Sequence, residues 1–300
     1  MIPFVHLQGV VPGRCDTVSP LIRRVIADNP GPFTYTGTGT YIVGRPEAGA
    51  TVAVIDPGPD DNRHLAALLS AVQGQVVSHV LVTHTHRDHA PLARPFAAAT
   101  GALVLAAEPP RAQSHASTFL DEDEDQDFRP DRVLADGDRI EGPGWTLETV
   151  ATPGHSSNHL AFALLEENAL FTGDHVMGWS TTVVAPPDGD MAAYMASLDT
   201  VIARGFRTLW PTHGAPVTEP EPFLLGYRAH RLARERQILS ALDDRGRRIA
   251  DIVPELYAAV DPRLWPAASL SVHAHLIALV RRGRALADPE PTFKALYRVA

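Results

Sequence analysis

The chain is poor in cysteine and in long apolar runs. Cys15 is the single cysteine among 300 residues, which excludes an internal disulfide framework and fits a reducing compartment. No stretch approaches the roughly 18 consecutive apolar residues of a membrane-spanning helix. Residues 1–16 also lack the basic start and apolar run of a signal peptide. We therefore predict a cytoplasmic protein that does not associate with membranes.

Acidic residues outnumber basic ones, but not in the last part of the chain. The formal net charge is −9, whereas residues 222–300 contain 13 arginine and lysine residues against 8 aspartate and glutamate residues, a net charge of +5. The acidic run at residues 121–127 is typical of a solvated loop; alternatively, it is a flap that deters anionic ligands. A length of 300 residues predicts about two domains, which we assign to residues 1–221 and 222–300.

The most informative segment is residues 83–89, which read THTHRDH. Three of these residues are histidines, His84, His86 and His89, and Asp88 adds a carboxylate. Imidazole nitrogen and carboxylate oxygen are preferred ligands of borderline cations such as zinc. A histidine-rich surface loop is the alternative, but this density of ligands directly after an apolar run favours a metal site, with two ions rather than one.

The spacing within this motif predicts how the ligands divide. Residues 76–82 have the mostly apolar pattern of a buried strand. If the extended backbone continues, His84 and His86 point the same way, because side chains two apart on a strand share a face. If the chain then turns towards a helix, Asp88 and His89 point in another direction, where they can bind a second ion.

Three further ligand candidates follow at the ends of apolar segments. His155, Asp174 and His213 each come after a strand-like stretch and stand beside glycine or proline. Strand ends held by a rigid sheet are common mounting points for metal ligands and catalytic groups. Any one of the three alone would be an ordinary loop residue, but together with the THTHRDH motif they predict one site.

The order of these motifs resembles the metallo-β-lactamase fold superfamily. The matching elements are the H-x-H-x-D-H motif, the histidine of TPGHS, the aspartate of GD and a late His-Gly pair. The turn Asp56-Pro57-Gly58 is similar to another element of that fold. The resemblance spans roughly residues 41–214 and implies an α/β fold, an αββα sandwich, with a binuclear zinc site.

The resemblance also implies a ligand set. One ion would be bound by His84, His86 and His155, the other by Asp88, His89 and His213, and Asp174 would bridge them. This set resembles hydrolases of thioesters, lactones and phosphodiesters more than the true β-lactamases, which often use a cysteine ligand. Cys15 lies far from every motif. Divalent metals other than zinc are also compatible with these ligands.

Such a site implies hydrolysis by an activated water molecule. Two zinc ions roughly 3.5–4 Å apart would share a water and lower its pKa towards neutrality. The bridging hydroxide would attack an ester-like bond, so that no serine or cysteine nucleophile is needed. Asp88 would orient the hydroxide or pass a proton to the leaving group, which makes it the candidate catalytic residue. Asp56 is either a carboxylate behind the ligands or a loop residue.

The sequence after residue 222 predicts helices followed by a short strand pair. A long helix is expected over residues 223–242, and shorter helices begin at Asp251 and Pro266. The last helix ends near Arg281, where the strands begin. This order is similar to the winged-helix tail on one branch of the superfamily, which includes lactamase-like endoribonucleases and some carrier-protein thioesterases. The tail is therefore expected to be all-α or winged-helix-like.

A winged-helix-like tail leaves two functions open. Winged helices often bind nucleic acid, and Arg281, Arg282 and Arg284 would lie near the wing. A nucleic-acid-binding protein or single-strand endoribonuclease that contacts RNA is therefore the alternative to a hydrolase of small-molecule esters. A charge of +5 is modest for a nucleic-acid-binding domain. In the other interpretation, the tail packs over the active-site face, shapes the substrate pocket or forms a homodimer contact.

Two other histidines lie near the predicted ligands in sequence. His159 is expected to orient His155 or to pack in the core rather than to bind metal. His175 follows Asp174, and it is expected either to point away from the ligands or to line the pocket.

Overall fold

The computed structural model of the protein describes residues 2–110, 125 and 127–300. Within these residues the chain forms two large β-sheets, a small two-stranded sheet and six α-helices. The acidic run predicted as a solvated loop lies outside the described residues, except for Asp125 and Asp127. None of the described helices combines the length and the apolar character needed to cross a membrane.

The first sheet contains seven of the described strands, in sequential order. They are β1 (Cys15–Thr17), β2 (Ile22–Ile26), β3 (Gly39–Val43), β4 (Thr51–Ile55), β5 (Val76–Leu81), β6 (Leu103–Ala106) and β7 (Arg132–Val133). The first four strands pair antiparallel, whereas β4 to β7 pair parallel. Parallel neighbours need crossover connections, and these contain α1 (Asn62–Ala71) and α2 (Ala93–Thr100).

Alternation along the central strands of this sheet divides the hydrophobic core. In β3, Tyr41 and Val43 face the space between the two large sheets, whereas Ile42 faces α1 and α2. Successive side chains of a strand point to opposite faces, and here both faces are covered. That is why β3, β4 and β5 appear in the sequence as nearly continuous apolar runs.

The second sheet has five strands among the described residues, in the order β12-β11-β10-β9-β8. They are β8 (Arg139–Gly142), β9 (Trp145–Ala151), β10 (Leu160–Leu164), β11 (Ala169–Gly173) and β12 (Thr208–Pro211). Its inner face contributes Trp145, Phe162 and Phe171 to the core between the sheets. Its outer face is covered by α3 (Met191–Arg204) and α4 (Pro220–Ala241). The predicted αββα sandwich is confirmed.

The C-terminal elements have a hydrophobic core of their own. They are α5 (Ile249–Leu256), α6 (Trp265–Arg281), β13 (Ala285–Asp288) and β14 (Leu296–Val299). Ile252, Leu276 and Tyr297 pack together in this core. The helix α5 starts two residues before its predicted beginning at Asp251, because the side chain of Asp251 caps the first turn by accepting from the Arg248 N–H.

The helix α4 belongs to both cores. Its first half packs Phe223 and Tyr227 against the second sheet, and its second half packs Ile238 into the C-terminal core. The predicted division between residues 221 and 222 falls in the first turn of this helix and stays a prediction. The C-terminal part also packs Ala274 of α6 against Tyr194 of α3.

One capping aspartate links α3 to α6, and its loss should destabilise the fold. Asp190 accepts hydrogen bonds from the N–H groups of Ala192 and Ala193 and pairs with Arg281. We expect Asp190→Ala to lower the free energy of unfolding by about 1 kcal/mol, the usual cost of losing an N-cap. Asp190→Asn keeps the cap and loses only an exposed ion pair, so it should cost clearly less.

Urea unfolding of the two variants beside the wild type measures this difference. Equal losses for Asp190→Ala and Asp190→Asn would contradict the capping argument and assign the stabilisation to the pair with Arg281.

Candidate metal centre

All seven predicted ligands converge at one end of the sandwich. They are His84, His86, Asp88 and His89 after β5, His155 after β9, Asp174 after β11 and His213 after β12. The strands β9, β11 and β12 run in the same direction, because β10 is antiparallel to both β9 and β11, and β11 is parallel to β12. Their carboxyl ends therefore deliver ligands to one edge of the second sheet.

Three imidazoles form the first group. The Nε2 atom of His84 lies 2.8 Å from Nδ1 of His86, and Nε2 of His155 lies 3.1 Å from the same atom. His155 donates its Nδ1–H to the Val183 carbonyl at 2.7 Å, and His84 has its Nδ1 3.0 Å from the Thr83 hydroxyl. Two lone pairs thus face His86, and one proton on His86 could satisfy only one of them.

A carboxylate and two imidazoles form the second group. Asp88 Oδ2 lies 3.3 Å from His89 Nε2 and 3.1 Å from His213 Nε2. His89 donates its Nδ1–H to Asp56 at 2.9 Å, and His213 donates its Nδ1–H to the Gly37 carbonyl at 3.3 Å. In the neutral imidazoles, Nε2 therefore carries a lone pair that faces the carboxylate.

Asp174 lies between the two groups and faces each with a different oxygen. Its Oδ2 is 3.9 Å from His155 Nε2, whereas its Oδ1 is 3.6 Å from His89 Nε2 and 3.4 Å from His213 Nε2. Its backbone N–H donates to Nε2 of His159 at 3.1 Å. Asp174 thus has the position expected of a residue shared by both groups.

The contacts of the site fit a bound cation. Three buried atoms, Nε2 of His89, Nε2 of His213 and Oδ1 of Asp174, have no hydrogen-bond partner among the described residues. Buried polar groups are normally paired, and these three converge on one another, all as acceptors when the two imidazoles are neutral. Imidazole nitrogens and carboxylate oxygens are the donor atoms that zinc takes. The residues therefore fit a metal ion as their missing partner.

Burial and the neighbouring carboxylates shift the pKa values of the histidines in the metal-free site. Burial lowers the pKa of His84 well below its ordinary value and lowers the pKa of His86 to about 3. Burial also acts to lower the pKa of His213, but the carboxylates of Asp174 and Asp88 outweigh it and raise that pKa to about 10. Without metal, a proton on His213 balances the carboxylates, which is the role a cation would otherwise fill.

The side chain of Asp56 organises the site from behind. It is fully buried and accepts four hydrogen bonds: from the N–H and the hydroxyl of Thr83 at 2.8 Å each, from His89 Nδ1–H at 2.9 Å and from the Thr212 hydroxyl at 3.1 Å. Its backbone has a positive φ of 50°, which is uncommon outside glycine. Of the two interpretations from sequence, these contacts support the carboxylate behind the ligands.

His159 and His175 do not belong to these groups of close ligand atoms. His159 accepts from the Asp174 N–H through Nε2, so its proton is on Nδ1, which faces the Thr152 hydroxyl at 2.8 Å. This agrees with a structural role. His175 is fully buried, and its ring centroid lies 5.0 Å from that of Tyr194 on α3.

Sequence reasoning missed several of the groups that orient the imidazoles. The backbone carbonyls of Gly37 and Val183 leave no signature in the sequence, because any residue has a carbonyl. The threonines did leave one: Thr83 directly precedes the ligand candidate His84, and Thr212 precedes His213. A hydroxyl beside a buried ligand is a common way to orient it.

Comparison with known protein families identifies the class of this protein. Residues 37–213 match the family model of the metallo-beta-lactamase superfamily, and residues 249–292 match the beta-lactamase associated winged helix domain. The first match covers more than half of the chain. The chain belongs to the metallo-beta-lactamase superfamily, carries a C-terminal winged helix domain, and is a hydrolase.

Individual relatives agree with this assignment. An atrochrysone carboxyl ACP thioesterase from Aspergillus chevalieri is 34% identical over 229 residues, which are 75% of this chain and 67% of the relative. The Beta-lactamase-like protein 2 homolog of Caenorhabditis elegans is 29% identical over 263 residues, 86% of this chain and 82% of the relative. The chain thus spans about two thirds of the length of this thioesterase.

Solved structures share the whole fold. A beta-lactamase domain protein from Burkholderia ambifaria superposes with a TM-score of 0.78 at 21% identity, over 98% of this chain and 96% of that chain. A metallo-beta-lactamase family protein from Thermus thermophilus gives 0.76 at 22% identity, over 95% of this chain and 100% of that chain. The sandwich and the winged helix therefore occur together in these proteins.

Replacing the Asp56 carboxylate should be costly. In Asp56→Asn, the side-chain NH₂ group would replace one accepting oxygen. It would face the donors of Thr83, His89 and Thr212, and buried donors would be left unpaired. We expect the free energy of unfolding to fall by about 3 kcal/mol. Chemical denaturation measures it, with the exposed neighbour variant Asp60→Asn as the control, for which less than about 0.5 kcal/mol is expected. A small loss in Asp56→Asn would refute the organising role.

Proposed function

We propose that this protein is a binuclear zinc hydrolase that cleaves an ester-like bond, with a thioester as its substrate class. The convergence of buried ligand atoms supports the metal centre: Nε2 of His89, Nε2 of His213 and Oδ1 of Asp174 have no hydrogen-bond partner among the described residues. The names of the relatives support the bond type. Lactones and phosphodiesters are the other substrate classes that the ligand set allows.

The residues that would hold the two zinc ions follow from the two groups of ligand atoms. His84, His86 and His155 would hold one ion, and Asp88, His89 and His213 the other, with Asp174 shared between them. Bound zinc supplies Lewis acidity and lowers the pKa of a water molecule towards neutrality. Other divalent metals can also bind nitrogen and oxygen donors of these kinds.

Asp88 is the residue we propose for proton handling. Its side chain is 20% exposed, whereas the side chain of Asp174 is 7% exposed and those of His89 and His213 are at most 1% exposed. A carboxylate at the open side of a buried site can hold a water in place by accepting its proton in a hydrogen bond. It can also pass that proton to the departing group.

A thioester is favoured because relatives of this chain carry that activity in their names. The thioesterase from Aspergillus chevalieri, 34% identical, and one from Aspergillus fumigatus, 35% identical over 238 residues, are both named atrochrysone carboxyl ACP thioesterases. The acyl group of the substrate is a separate question. This chain is therefore proposed to act on acyl thioesters as a class rather than on that particular acyl group.

The contacts of Arg281 and Arg282, though not those of the exposed Arg284, count against the alternative in which the tail binds RNA. Arg281 pairs with Asp190 and Arg282 pairs with Glu235, so both are engaged within the chain. The backbone N–H of Asp125 donates to the carbonyl of Thr85 at 2.7 Å, which brings an acidic residue next to the ligand motif. Negative charge there disfavours a polyanion. A homodimer and a cytoplasmic location stay predictions from the sequence.

The metal centre can be tested through Asp174. Zinc-loaded wild-type protein should contain two equivalents of metal by elemental analysis. Asp174→Ala should lose at least one equivalent, and hydrolysis should fall by at least about 100-fold, since loss of even an outer partner of a ligand costs 10–100-fold. Asp199→Ala, in which an exposed aspartate of α3 is removed, is the control. Full activity and full metal content in Asp174→Ala would refute the assignment.

The substrate class requires a panel with matched leaving groups. We expect kcat/KM for an acyl-pantetheine thioester to exceed that for the corresponding oxygen ester, a lactone and a phosphodiester by at least about tenfold, or about 1.4 kcal/mol of transition-state stabilisation. Single-stranded RNA is included both as substrate and as ligand at low salt, where electrostatic binding is strongest. Preferential cleavage of RNA or of the phosphodiester would overturn the thioester proposal.

A further inference from the structure

The segment of residues 175–184 follows the shared ligand candidate Asp174, on the way to α3, and is held by side chains from two helices. Tyr194 of α3 donates its hydroxyl to the His175 carbonyl at 2.9 Å. Tyr227 of α4 donates to the Met177 carbonyl at 2.7 Å. This segment has no regular secondary structure, so these contacts take the place of a backbone ladder.

The far end of this segment orients one of the proposed ligands. The carbonyl of Val183 accepts the Nδ1–H of His155 at 2.7 Å. That contact selects the tautomer of His155 whose Nε2 lone pair faces His86 and Asp174. A shift of the Val183 carbonyl would release the ring of His155, since this hydrogen bond holds its outer nitrogen.

The neighbouring carbonyl is held by a buried arginine. Arg231 of α4 is 4% exposed, and its Nη2 donates to the Thr182 carbonyl, one residue before Val183. Its guanidinium also lies over the ring of Tyr194, with its central carbon 5.0 Å from the ring centroid. Arg231 thus contacts both the segment and the α3 side chain that anchors the segment's other end.

Arg231 forms no ion pair with any of the described residues. Among the described residues, no carboxylate lies within ion-pair distance of its guanidinium, and its Nε has no hydrogen-bond partner. Burying a cation without a counter-ion is costly, and an apolar residue of similar size would avoid that cost. What an apolar residue would lack is the rigid planar fork that fixes the direction of a carbonyl.

We propose that Arg231 is a positioning residue: it holds the peptide carbonyl of Thr182, and through the adjoining Val183 carbonyl it keeps His155 oriented as a metal ligand. This inference rests on the proposed function, because it assigns His155 to the metal centre. Arg231 also lies between two hydrophobic cores, because α4 packs against the second sheet with its first half and into the winged helix domain with its second half.

The test compares Arg231→Gln with a matched variant on the same helix. Arg228→Gln removes an arginine three residues away that is exposed and pairs with Asp199. We expect Arg231→Gln to bind one equivalent of Co²⁺, titrated by its visible absorption, at least about tenfold more weakly than Arg228→Gln, with the second equivalent unchanged. In the metal-free protein, the exchange-protected Nδ1–H proton of His155, followed by NMR with ¹⁵N-labelled histidine, should broaden or shift.

A purely structural role predicts a different result. In that case, Arg231→Gln lowers only the thermal stability. Its affinities for both equivalents of Co²⁺ stay within about twofold of those of Arg228→Gln, and the His155 resonance is unchanged. That result overturns the proposal. If Arg231→Gln does not fold, Arg231→Lys, which keeps one charged donor but loses the fork, carries the same two readouts. Should the wild type bind no metal, the proposed function fails, while the His155 resonance still decides the positioning role.

Discussion

The buried carboxylate of Asp56 is the constraint on which the site depends. It can only accept hydrogen bonds, so every group around it must point a proton inwards. His89 does so directly, and His84 is joined to it through the hydroxyl of Thr83, which itself donates to Asp56. Thr212 follows the last residue of β12 in the second sheet, and its hydroxyl donates to the same Asp56 oxygen that accepts from His89. One carboxylate therefore links the ends of both sheets.

Backbone carbonyls extend the same principle to the candidate ligands that Asp56 does not reach. Val183 accepts from His155 and Gly37 accepts from His213, each at Nδ1. With their outer nitrogens committed as donors, the inner nitrogens carry lone pairs. Together with the carboxylates of Asp88 and Asp174, these nitrogens place several acceptors close together. Such an arrangement is stable around a cation or, without one, around protons taken up by His213 and its neighbours.

The winged helix domain is connected to this centre by shared helices rather than by a flexible linker. The helix α4 packs in two hydrophobic cores, and α6 packs Ala274 against Tyr194 of α3. Tyr194 in turn donates to the carbonyl of His175, next to the shared ligand candidate Asp174. The winged helix domain is thus linked, through Tyr194, to the segment that carries Asp174.

The sequence by itself determined the types and the order of the candidate ligands, because metal binding needs particular side chains, and its resemblance to the superfamily predicted the layered fold. It also determined the helices and strand pair of the tail, with α5 misplaced by two residues. Only the tertiary structure decided which groups orient the imidazoles. Gly37, Val183 and Arg231 act through carbonyls and long-range contacts, which have no local pattern, so their roles exist only once distant segments of the chain have come together.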